Sequence, residues 1–115
     1  MPHNIDYTYI KQAMGGDTTA LKNITSLFLG ETATILENIN KSVTENNWQT
    51  LKSNVHKIKS SLRMFGLNDM AELCMKTELI ISKGEDLSNI REIVDQISKE
   101  LPIIMETIRA DIEKL

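Results

Sequence analysis

From Trp48 to Phe65 the apolar residues fall at Trp48, Leu51, Val55, Ile58, Leu62 and Phe65, in unbroken steps of three and four. That period gathers them on one face of an α-helix and would scatter them over both faces of a strand. The same reading extends along the chain. Ile5 to Met14 makes a short first helix, stopped by Gly15-Gly16, since glycine suits the left-handed position after a helix. Asp17 is a plausible N-cap for a second helix carrying Leu21, Ile24, Phe28, Ile35, Ile39 and Val43 and running to about Glu45. Gly30 is a weak point inside it, costing about 1 kcal/mol against Ala. Asn46-Asn47 connects to the third helix, which Gly66 ends. Asn68 or Asp69 caps a fourth, with Met70, Leu73, Thr77 and Ile80/Ile81, that stops at Gly84. Ser88 caps the last, with Ile90, Ile93/Val94, Ile97, Leu101, Ile104/Met105, Ile108 and Ile112, and Pro102 should kink it. Two prolines, five glycines and 4% aromatics leave too few turn signals and too few strand formers for a sheet protein. Short connectors force antiparallel neighbours, so the expected fold is all-α: an antiparallel up-down-up-down four-helix bundle with a short additional N-terminal helix. The 115 residues are expected to form one domain, 1–115.

Several chemistries are missing. The chain has one cysteine, Cys74, so an internal disulfide and a Cys-rich zinc site are excluded; a small buried core residue is the expected role of Cys74. There is no Gly-x-x-x-x-Gly-Lys-Ser/Thr loop and no haem-attachment motif. Neither histidine has a Glu three residues before it, as a di-iron bundle would require. No metal site and no cofactor are expected. His3 reads as a tail residue. The N-terminal residues lack the basic-then-apolar pattern of a signal peptide, and the longest uncharged apolar stretch, Asn23 to Gly30, is too short for membrane insertion, so a cytoplasmic setting is expected. A net charge of −3 argues against general nucleic-acid binding.

One segment departs from that acidic balance. Asn46 to Asn68 holds Lys52, Lys57, Lys59 and Arg63, four of the 13 basic residues, and none of the 16 acids. Such an island is either a solvated helix face or a docking site for an acidic or phosphorylated partner. His56 lies in its middle. At about 100° per residue it sits roughly 130° from the centre of the apolar stripe, turned to solvent, with Lys52, Lys59, Ser60 and Arg63 within about 60° of it. Surrounding cations disfavour a charged imidazolium and favour the neutral, nucleophilic ring. They could also hold the oxygens of a phosphoryl group. By periodicity and charge alone, His56 is either such a nucleophile or an idle surface histidine.

The run Val55-His56-Lys57-Ile58-Lys59-Ser60-Ser61, followed by Gly66, Leu73, Cys74 and Glu78, resembles the histidine-containing phosphotransfer (HPt) domain. The Gly15-Gly16-Asp17 turn and Leu27-Phe28-Leu29 are also similar to that family, so the resemblance covers nearly the whole chain. It implies that His56 is phosphorylated, that Lys59 helps to hold the phosphoryl group, and that Gly66 forms the turn between the central helices. It also implies that Glu78 hydrogen-bonds the imidazole. The implied partners are response-regulator receiver domains, of a hybrid sensor histidine kinase and a downstream regulator, with Mg²⁺ on the receiver only. No ATP-dependent kinase activity is implied. Two residues depart from the family pattern. Ser60 stands where glycine is usual, which points to altered partner choice, and Thr77 replaces an apolar residue before Glu78. Lys52, Lys57, Ser60, Arg63 and Gly66 are the expected partner-binding residues around His56. The competing reading is a helical adaptor or oligomerisation module without phosphate chemistry, in which His56 would be dispensable.

Overall fold

A computed structural model describes residues 5–84 and 87–115; His3 lies outside the described residues. The described residues form α1 (Thr8–Ala13), α2 (Thr18–Thr44), α3 (Trp48–Met64), α4 (Asn68–Lys83) and α5 (Leu87–Glu113), with no strand among them. Helix α2 packs on α3 and α5, and α4 packs on the same two. The four long helices therefore close in chain order around one shared core, the expected up-down-up-down bundle. Two helices of 27 residues would each span about 40 Å. That length accounts for the 45 Å long axis of the molecule.

The apolar stripes pack much as their spacing requires. Leu51, Val55, Ile58 and Leu62 of α3 are buried, as are Ile90, Val94, Ile97, Leu101, Ile104 and Ile108 of α5. On α2 the buried face is wider than its apolar residues suggest, because Thr25, Thr32 and Ser42 are buried too, while Ile24, Ile35 and Val43 are only half-buried. Burying a hydroxyl is tolerable when it finds an acceptor. Thr25 donates to the Leu21 carbonyl at 2.8 Å and Ser42 to that of Asn38 at 2.7 Å. On α4, Thr77 does the same to Leu73 at 3.0 Å. Helix α2 continues through Gly30, and α5 is helical on both sides of Pro102.

Three helix starts differ from the sequence reading. Helix α1 covers six residues instead of Ile5 to Met14, because the residues before it brace the bundle end. The Asp6 N–H donates to the Phe65 carbonyl at 2.9 Å, while its carboxylate accepts from the Thr8 N–H at 2.9 Å. The Tyr7 hydroxyl donates to Asp111 at 2.6 Å, and its ring meets Phe65 edge-on at 6.2 Å. Helix α4 is capped by neither Asn68 nor Asp69. Both lie inside it, and Leu67 stands at the cap position without a side-chain bond. Its side chain is buried, so core packing rather than capping sets the entry of the chain. Ser88 is likewise inside α5, which already includes Leu87. Asp17 does cap α2, accepting from the Ala20 N–H at 3.1 Å, and Asn47 caps α3 by accepting from Thr50 at 3.2 Å.

Candidate functional site

Burial of Val55 and Leu62 on the core side of α3 fixes the rotation of that helix and turns His56 outward, with its side chain 72% exposed. Helix α4 lies alongside. Thr77 faces the core there, so Glu78, one residue on, comes round to the groove between the two helices. Glu78 Oε1 lies 2.7 Å from His56 Nδ1, and Lys59 Nζ donates to Glu78 Oε2 at 2.6 Å. One carboxylate thus joins an exposed ring to a largely covered ammonium.

The electrostatics fix the proton. Burial pushes the Glu78 pKa up, but the hydrogen bonds from Lys59 and His56, with the Lys59 charge, outweigh it and hold the carboxyl below its ordinary value. An ionised carboxylate can only accept. Nδ1 therefore carries the proton and donates it to Glu78, and in the neutral ring the lone pair is on Nε2. The arrangement can present an oriented nitrogen nucleophile to a macromolecule approaching from solvent.

The other expected residues divide. Lys52 lies in an open recess of about 330 Å³ beside the ring, formed with Gln49, Ser53, Leu79 and Ser82. Ser60 and Arg63 are exposed on the face that carries His56. Lys57 is turned to the other flank of α3, where it lines the grooves between α2 and α3 with Asn38 and Asn54. Gly66 is held by the fold itself. Its φ is +71°, and a Cβ there would fall 2.6 Å from Asp6 Cβ. Sequence reasoning did not choose Leu79 and Met75, yet both are exposed on α4 near Glu78, at 52% and 38%. Their signal was available: each is an apolar residue off the stripe of its helix. Cys74 is fully buried, and burial pushes its thiol up to about 12. Among the described residues no His, Cys, Asp and Glu cluster could hold a metal ion, and no helix is long and apolar enough to cross a membrane.

A carboxylate-backed imidazole open to solvent on a rigid helical face is the arrangement that a group carrier needs. The Hpt domain family model matches residues 23–113, and the chain belongs to that family, whose members carry phosphoryl groups and are not kinases. No curated protein matches the chain. Among solved structures it resembles histidine-containing phosphotransfer protein B (HptB) from Pseudomonas aeruginosa PAO1. The TM-score is 0.86 at 15% identity, over 100% of this chain and 99% of that one. It also resembles the HPT domain of the Hpt sensor hybrid histidine kinase from Shewanella, with a TM-score of 0.80 at 14% identity, over 96% and 95% of the two chains.

Proposed function

We propose that His56 is the residue that carries the phosphoryl group, loaded from the aspartyl phosphate of one receiver domain and discharged to the aspartate of another. In the forward step the Nε2 lone pair forms the N–P bond while the P–O bond to the aspartyl carboxylate breaks. The carboxylate leaves with the electron pair. The Nδ1 proton stays in place, so the ring becomes cationic as the bond forms. Glu78, 2.7 Å away, lies where that charge develops. The reverse step returns a neutral ring, so the carrier serves either direction. Mg²⁺ is needed on the receiver, and none of this chain's residues is asked to hold it.

Leu79 and Met75 supply the apolar part of a docking face, and Lys52 and Arg63 supply cations suited to an acidic receiver mouth. Ser60, one turn beyond His56, replaces the glycine usual in the family and adds a hydroxyl to that face. The receivers are those of a hybrid sensor kinase and its downstream regulator, and the setting is cytoplasmic. The single observation that carries this reading is the His56–Glu78 hydrogen bond on an otherwise open ring. The test is transfer from a ³²P-labelled receiver. Acid-labile, base-stable label should appear on the wild type and not on His56→Gln. Label on the variant would place the phosphate elsewhere, and no label from a panel of receivers would favour an adaptor.

A further inference from the structure

Resting on that reading, we infer that Lys59 is a positioning residue that acts on His56 through Glu78, and not a ligand of the phosphoryl group. The family resemblance gives this lysine to the phosphate. In this chain its ammonium is already spent on Glu78 Oε2 at 2.6 Å, with its side chain only 15% exposed.

A carboxylate against Nδ1 has two opposite effects. It fixes the useful tautomer, and it also attracts a second proton to the ring. The resulting imidazolium has no lone pair with which to attack. An ammonium on the second carboxylate oxygen separates the two effects. The hydrogen bond to Nδ1 remains, while the Glu78 charge felt by the ring is offset and the ammonium itself opposes a positive imidazole. Lys59 thereby lets Glu78 orient the ring without charging it. The other groups around the trio reinforce this or are silent. Lys52 and Arg63 on α3 are cations, and Cys74 on α4 is a buried neutral thiol. From α2, Glu31, Lys41 and Glu45 line the grooves on the Lys57 flank. The core-facing residues of α5 are apolar.

The decisive measurement is an NMR titration of the His56 ring, which needs no phosphoryl donor. Lys59→Met should move the ring titration upward by roughly one pH unit, the effect of one unit charge a few ångströms away in a partly hydrated site. Glu78→Gln should move it downward. On the Glu78→Gln background Lys59→Met should still raise the titration, because the ammonium's own charge acts directly, but it should leave the ring's tautomer ratio, read from ¹⁵N shifts, unchanged, because the carboxylate that Lys59 holds is gone. Lys59→Arg should restore wild-type behaviour, and Lys59→Gln replaces the Met variant should that one fail to fold. Phosphorylation by the small donor phosphoramidate should fall several-fold more near pH 6.5 than near pH 8.5 in Lys59→Met. An unmoved ring titration, with a rate loss equal at both pH values, would assign Lys59 to the phosphoryl oxygens and overturn the inference. A shifted titration in a protein that no donor phosphorylates would leave Lys59 as placed here and overturn the carrier function instead.

Discussion

Substituting Gly66 by alanine tests whether this glycine belongs to the partner or to the fold. Its φ of +71° costs an L-residue about 1 kcal/mol or more. The new Cβ would also fall 2.6 Å from Asp6 Cβ and 3.0 Å from Asp6 N, a backbone atom that cannot swing aside. Relief requires the Asp6–Tyr7 brace to lift, with loss of its bond to Phe65 and the ring contact beneath it. Such overpacking costs about 1–3 kcal/mol. The sum is about 2–4 kcal/mol, or a fall of roughly 8–15 °C in Tm for a domain of this size. Gly15→Ala is the internal control: its φ is +61°, but nothing lies within 4 Å of the added carbon, so only the conformational part, a few degrees, is expected. Calorimetry on both variants separates strain from collision. Phosphoryl acceptance from a small donor should survive in folded Gly66→Ala, because the brace lies apart from the imidazole. Equal losses of Tm in the two variants would refute the collision argument. Near-normal Tm with lost receiver docking would return Gly66 to the interface.

Two further outcomes concern the titratable groups. The folded pKa of Glu78 is depressed, so its contribution to stability is fully present above the ordinary value of 4.5 and is lost as pH falls through the lower folded value. The Tm difference between wild type and Glu78→Gln should therefore persist down to about pH 5 and shrink below about pH 4; a difference that vanished already near pH 6 would contradict the ionised carboxylate. Cys74 is sealed in the core with its thiol raised to about 12, so iodoacetamide at pH 8 should label it only under unfolding conditions, and rapid labelling of the native protein would contradict its burial.

Periodicity placed the helices and His56 because both depend on angles within one helix. Leu51, Val55, Ile58 and Leu62 define a stripe, and the position of His56 off that stripe predicts its exposure without any knowledge of neighbours. Within that logic Lys57 stands about 100° from His56, and grouping it with the imidazole by charge alone overlooked the angle. What could not be read by period was whatever one helix does for another. Thr25, Thr32 and Ser42 look like solvent residues, yet all three pack inside and at least two of them bond carbonyls one turn back. Glu78 came from family resemblance, since no spacing rule brings a residue of α4 to a ring on α3. That Lys59 faces the carboxylate was legible in neither way. The polar caps expected at Asn68 and Ser88 failed because packing of Leu67, and a helix that already includes Leu87, set those entries.

The imidazole and its carboxylate ride on separate rods joined only by the tight bend at Phe65–Leu67. One extra residue inside α4 ahead of Glu78 would either turn the carboxylate about 100° away from the ring or pull Met70 and Cys74 out of the core. The number of residues from the first buried side chain of α4 to Glu78 is thus tied to the core and to the site at once.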